Sequence, residues 1–278
     1  MPDNVDHTAA TPPAGGRILA VANQKGGVGK TTTAINLATA LAATGATVLL
    51  IDLDPQGNAS TGLGFGRGER QNGTYRLLTD GLAIADVQRP TLVPNLWLVP
   101  SDPDLAGAEI ELVAEDRREF RLRDALRAAQ ASGLRPAYTL IDCPPGLGLL
   151  TLNGLAAADA VLVPLQCEFF ALEGISQLLH TIELVRRGFN PKLRLQGIVL
   201  TMHDRRNNLS EQVAADARSF FGNQVYDTVI PRNIRVSESP SHGKPVLLYD
   251  FRSPGAQAYV RHASELLRRE RAQPASAA

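Results

Sequence analysis

The chain has 278 residues, 44% hydrophobic and 20% charged, with 28 Lys+Arg against 28 Asp+Glu. This is the profile of a packed soluble core, one large α/β domain or two small ones, and the zero formal charge argues against a generic nucleic-acid binder. No apolar run approaches the roughly 18 residues of a membrane-spanning helix, and the opening "MPDNVDHTAATPPAGG" lacks the apolar stretch of a secretory signal.

In chain order, residues 1–16 are small, polar and Pro/Gly-rich and are expected to be a flexible tail. Residues 17–23, "RILAVAN", form an apolar run between Gly15-Gly16 and a glycine-rich loop, the pattern of a buried strand. Residues 31–43 place Ile35, Leu37, Ala38 and Leu41 near helical spacing, with Gly45 as a stop. Further apolar strands are expected at 47–52, 96–100, 138–142, 160–164 and 195–201, and the polar, glycine-rich stretch 57–73 as a mobile loop. Helices are expected at about 103–114, 118–131, 149–157, 171–187, 208–221 and 255–271. Apolar strands alternating with helices imply an α/β fold: a mostly parallel twisted sheet with helices on both faces. No repeat or linker interrupts it, so 17–271 is expected to be one domain, followed by a second flexible tail at 272–278.

Cys143 and Cys167 lie in or beside apolar runs without metal-ligand spacing, and are expected to be buried thiols in a reducing cytoplasm. Charge is unevenly spread. Residues 1–185 carry 13 Lys+Arg and 20 Asp+Glu, whereas residues 186–278 carry 15 and 8. The C-terminal third is therefore expected to contribute a basic face.

The first strand runs directly into Gly26-Gly27-Val28-Gly29-Lys30-Thr31-Thr32, which opens a helix. Glycines let backbone N–H groups turn towards phosphate oxygens, and the helix N-terminus adds a favourable dipole. Lys30 offers a point charge to β- and γ-phosphates, and the Thr31 hydroxyl is placed to ligate Mg²⁺. Asp52 and Asp54 end the second strand in "LLIDLDPQGN", and Asp142 ends another in "YTLIDCPPG". Asp142 is expected on the metal side, directly or through water. Three carboxylates at strand ends would repel one another without a cation. Asp52 fits either a metal-side or a capping role.

The loop departs from the ordinary pattern G-x-x-x-x-G-K-[ST], whose first glycine would fall at Gln24; Lys25-Gly26-Gly27 stands there instead. In this it resembles the P-loop ATPases with a deviant Walker A loop: the ParA/Soj partition proteins, MinD and the nitrogenase iron protein. The blocks "NQKGGVGKTTTAINLATALA", "LIDCPPGLGLLTLNGLAAAD" and "VIPRNIRVSESPSHGKPVLLYD" are most similar to ParA/Soj. The resemblance runs from Arg17 to about Arg269, although Ser239 stands where the family more often has Ala.

That resemblance implies an ATP- and Mg²⁺-dependent switch with slow intrinsic turnover, in the cytoplasm and associated with the nucleoid. By it, Lys25 reaches the nucleotide of the other subunit in an ATP-sandwich homodimer, with Gly26 at the contact. Asp54 positions the attacking water, "DCPPG" senses the γ-phosphate, and Pro231 and Asn233 lie in the adenine-binding turn. Arg206 and Arg235, with Arg232 beside them, bind double-stranded DNA non-specifically, and a ParB-type centromere-binding protein stimulates hydrolysis. A MinD-like membrane switch is the alternative. It needs a C-terminal helix free to enter lipid, whereas the stripe Tyr259, Val260, Ala263, Leu266 and Leu267 suits core packing. A nitrogenase-iron-protein-like reductase would need paired cysteines for a cluster.

Overall fold

The computed structural model describes residues 16–168 and 171–272. The expected tails lie outside these apart from Gly16 and Ala272, the latter ending the last helix.

The strands are β1 (Arg17–Val21), β2 (Val48–Asp52), β3 (Arg89–Pro90), β4 (Leu96–Val99), β5 (Tyr138–Asp142), β6 (Ala160–Gln166) and β7 (Arg194–Thr201). They form one seven-stranded sheet in the order β3-β4-β2-β5-β1-β6-β7, parallel except for the antiparallel β3–β4 pair. All five residues of β2 and of β5 are buried, as continuous apolar strands must be when helices cover both faces. The helices are α1 (Lys30–Ala42), α2 (Asn58–Gly62), α3 (Thr74–Thr79), α4 (Ile84–Val87), α5 (Leu105–Glu111), α6 (Arg121–Ala131), α7 (Leu149–Ala157), α8 (Ala171–Gly188), α9 (Asn208–Phe221), α10 (Ile234–Glu238), α11 (Val246–Tyr249) and α12 (Pro254–Ala272).

Two cores flank the sheet. One packs α3 to α9 against it through residues such as Leu77, Ile84, Leu105, Leu126, Leu155, Ile175 and Val213. The other packs α1, α11 and α12 through Leu37, Leu41, Val246, Tyr259 and Leu266. α1 is buried nearly all round, its polar Thr33, Asn36 and Thr39 included, with α12 laid against it and the Tyr259 hydroxyl 3.4 Å from Thr33 Oγ1. The apolar stripe of α12 is thus core: Tyr259, Ala263 and Leu266 are fully buried. At the other end of α12, Glu270 accepts from the Tyr138 hydroxyl at 2.7 Å and pairs with Arg17 at 3.3 Å.

Stretch 57–73 departs from expectation. It is built around α2 and a 3₁₀ turn at Arg67–Glu69, and the Arg70 side chain is buried, donating to the Phe65 carbonyl at 2.8 and 3.0 Å. Its glycines serve tight turns. Gly57 has φ of 63° and sits so close to the Arg70 guanidinium that a Cβ would collide with it.

A nucleotide-type site at the carboxyl ends of the strands

β1 is central, and the loop leaving its carboxyl end sits where helices depart to opposite faces, the usual place for a ligand in an open α/β sheet. Gly27 and Gly29 have φ of 77° and 89°, in the left-handed region, and Gly29 stands immediately before α1 with no side-chain cap. A Cβ on Gly26 or Gly27 would meet nothing within 4 Å, so their backbone faces open space. The rest of the loop is tied down. Asn23 Nδ2 donates to the Pro164 carbonyl (2.8 Å), Thr201 Oγ1 to the Val28 carbonyl (2.8 Å), and the Gly146 amide to the Gln24 carbonyl (3.2 Å).

The two lysines part company here. Lys30 is 6% exposed and turns inward, its Nζ donating to the Lys25 carbonyl at 3.0 Å. Burial pulls its pKa below the ordinary value, opposed by the charges of Asp142 and Asp54. Lys25 points outward with its side chain 44% exposed, and forms an ion pair with Glu168.

Register brings the carboxylates together. β5 lies between β1 and β2, so Asp142 is level with Val21 on one side and with Asp52 on the other. Asp142 is fully buried, and neither of its oxygens has a partner at hydrogen-bond geometry, although Thr31 is close enough to favour its charged form. Burial raises its pKa well above the carboxylate range, and the Asp52 charge adds to the rise. Two orphaned oxygens inside a protein cost several kcal/mol on the order of a lost charged hydrogen bond each, and call for a cation. A hard cation sharing Asp142 and the Thr31 hydroxyl fits, because Mg²⁺ characteristically uses one or two protein oxygens and takes the rest from phosphates and water.

Asp52 does something different. Its Oδ2 accepts from the Ser60 amide (2.8 Å) and hydroxyl (2.6 Å), and its Oδ1 from the Asp54 amide (3.3 Å). Burial pushes its pKa up to about 6 against these hydrogen bonds. Of the two roles left open by sequence, these donors fit the capping one: Asp52 braces α2 and the turn before it. Asp54 is 7% exposed, accepting from the Gln56 amide at 3.0 Å, and its charge reaches Lys30.

The Pro231–Asn233 turn approaches from the far side of β7. His203 bridges Pro231, the His203 amide donates to the Ile230 carbonyl (3.1 Å), and the preceding Met202 lies beside Gly29. The Asn233 side chain caps α10, accepting from the Val236 amide at 3.3 Å. Of the basic residues, Arg232 is exposed; Arg206 is almost fully exposed but pairs with Asp204 (3.3 Å); Arg235 is half-exposed and pairs with both Glu238 (3.1 Å) and Asp250 (3.4 Å). Sequence showed these cations but not their acidic partners, nor Glu168 opposite Lys25. Cys143 and Cys167 are both buried free thiols, and burial pushes the Cys167 thiol up to about 11.

A family model described as an AAA domain matches residues 16–195. The chain is 62% identical over 262 residues to the chromosome partitioning protein ParA of Caulobacter vibrioides, covering 94% of this chain and 98% of that one. It is 51% identical to the sporulation initiation inhibitor protein Soj of Bacillus subtilis, covering 90% and 98%. Among solved structures, a Mycobacterium smegmatis protein named cobyrinic acid a,c-diamide synthase, with bound ADP and magnesium, is 38% identical with a TM-score of 0.79 over 92% of this chain and 96% of that one. The cell division ATPase MinD of Pyrococcus furiosus shares the fold at 24% identity, with a TM-score of 0.73 over 91% and 99%.

Proposed function

Because the chain belongs to the ParA/Soj family of partitioning ATPases, we propose that residues 17–271 form a single ATPase domain acting as a DNA-segregation switch. In this reading an ATP-bound sandwich dimer holds nucleoid DNA without reading its sequence. It lets go upon hydrolysis, which is slow alone and stimulated by a ParB-type centromere-binding protein. The observation that carries the proposal is the divergence of two lysines from one phosphate loop, Lys30 buried inward and Lys25 exposed outward. A loop serving only its own nucleotide has use for the first.

The amides of Gly26 to Thr32 and the Lys30 ammonium cradle the phosphates of ATP. Magnesium held by Thr31 and, directly or through water, Asp142 supplies charge neutralisation at the phosphate oxygens. Asp54 orients the attacking water, and positioning of this kind rather than covalent chemistry governs phosphoryl transfer. Pro231 and Asn233 border the adenine. Lys25 leaves Glu168 for the partner's phosphates, across a contact that the open space around Gly26 permits. Arg206, Arg232 and Arg235 on each subunit track DNA phosphates. The site of action is the cytoplasm, at the nucleoid.

The partitioning relatives are closer in sequence (62%) than the synthase-named protein (38%), which favours segregation over amide synthesis. No described helix is long and apolar enough to cross a membrane, and burial of the α12 stripe supports no insertion into lipid. The proposal is tested by DNA co-sedimentation of the nucleotide-free, ADP and ATP forms. Binding confined to the ATP form is expected; equal affinity of all three forms would contradict it.

A further inference from the structure

Arg206 and Arg235 stand differently on the surface. Arg206 reaches outward with 91% of its side chain exposed, and its ion pair is local, to Asp204 two residues before it. Arg235 is held from two sides. Its Nη1 donates to Glu238 Oε2 at 3.1 Å within α10, and its Nε lies 3.4 Å from Asp250 Oδ2, just past the end of α11.

Both carboxylates are themselves fastened. Glu238 accepts from the Tyr249 hydroxyl at 3.4 Å, and the Tyr249 ring stacks on His242 with centroids 4.8 Å apart. The Asp250 amide donates to the Val246 carbonyl at 2.8 Å, and the Asp250 carbonyl accepts from the Ser253 amide and hydroxyl at 3.1 and 2.8 Å. α11 in turn is anchored to α1 by the buried Asn36, which accepts from the Val246 amide and donates to the Thr32 carbonyl, both at 2.8 Å. A phosphate arriving at Arg235 therefore meets two carboxylates already in place. It competes with them for the guanidinium donors and is repelled by their charge.

We infer that Glu238 and Asp250 set a ceiling on the DNA affinity of each subunit by competing with backbone phosphate for Arg235. The basic face then holds DNA more weakly than its arginines alone would, and releases it more readily. The inference rests on the reading that Arg235 faces DNA; it concerns what opposes that contact.

DNA binding by the ATP form of the full chain, measured on a short duplex over a range of salt concentrations, tests it. Glu238→Gln and Asp250→Asn keep the size of each side chain and remove its charge. An exposed pair shifts an equilibrium by about 1.4- to 5-fold, and two subunits on one duplex square that factor. Each variant should thus bind DNA about 2- to 25-fold more tightly, with ATP affinity and thermal midpoint little changed. In the double variant the log–log salt dependence should steepen by up to about two units per dimer. Adding Arg235→Ala to the double variant should remove the gain, because the carboxylates act through that guanidinium. Wild-type or weaker affinity in the double variant would overturn the inference. So would a gain that survives Arg235→Ala, which would mark a general loss of negative charge. A wild type that binds DNA in no nucleotide form would overturn the DNA reading itself, and the inference with it.

Discussion

Replacing Lys25 by Ala tests the role of the second lysine across the dimer. The structure supplies both sides of the comparison. In the single chain Lys25 is engaged with Glu168, and both side chains are more than a third exposed; such pairs contribute about 0.2–1 kcal/mol. A charge-assisted contact to a partner's buried phosphate contributes about 1.5–3 kcal/mol. Exchanging one for the other favours the dimer by roughly 0.5–2.8 kcal/mol per subunit, and twofold symmetry doubles this. At about 1.4 kcal/mol per decade, Lys25→Ala should weaken the ATP dimer by roughly one to four orders of magnitude. ATP binding to one chain should change little, because Lys30, Thr31 and the loop amides remain. Light scattering with ATP on the Lys25→Ala, Asp54→Ala double variant, in which hydrolysis does not intervene, reads the dimer directly. Glu168→Gln should act in the opposite sense, strengthening the dimer by up to about 25-fold once both subunits are counted. A dimer of undiminished stability in the double variant would make Lys25 an ordinary surface lysine.

Asp142→Asn should raise the thermal midpoint of the nucleotide-free chain by removing a buried, unpartnered carboxylate, while shrinking the additional stabilisation by MgATP; a lower midpoint without nucleotide would refute the orphaned-carboxylate argument. Arg206→Glu should abolish most DNA binding and flatten the log–log salt dependence by about two units per dimer, and Arg235→Glu should flatten it less, since Glu238 and Asp250 already occupy that guanidinium. Equal slopes for the two variants and the wild type would count against the basic face. His262 is fully buried against the Tyr226 ring with both nitrogens unpartnered, and burial lowers its pKa to about 4. The unfolded chain therefore takes up this proton first, so stability is lost as pH falls from about 6.5 towards 4, by about 2 kcal/mol between pH 7.5 and 5. His262→Phe should flatten that part of the acid limb in chemical denaturation, and an unchanged slope would show that His262 does not titrate there.

What could be read from the sequence was whatever rests on local pattern. Apolar runs such as "VLLID" and "YTLID" are strands because both faces are covered, and the glycine loop before α1 carries its own chemistry. β3 was missed because two residues, one of them Pro90, make no periodicity. α2 was missed because "NASTG" is weakly helical in isolation; it is held by Asp52, Ser60 and Arg70, which are 8 to 18 residues apart. The same polar, glycine-rich composition that suggested a mobile loop at 57–73 is used for buried caps. Within the site, the lysines and strand-end aspartates were visible by type and spacing. Which of two neighbouring aspartates braces α2 depends on where Ser60 folds, and the Glu168 opposite Lys25 is 143 residues away.

The seating of α12 on α1 has a consequence for synthesis. The helix that opens the phosphate loop is among the first made, yet the helix that covers it is the last one described, and its end is tied to Arg17 and Tyr138 through Glu270. At about 5–20 residues per second, α1 waits some tens of seconds on the ribosome with its apolar flank uncovered. A nascent chain should therefore gain a finished nucleotide pocket only when translation is nearly complete. Until then Leu37 and Leu41 present a surface to holding chaperones, and stalled or truncated products that lack α12 should be the aggregating species.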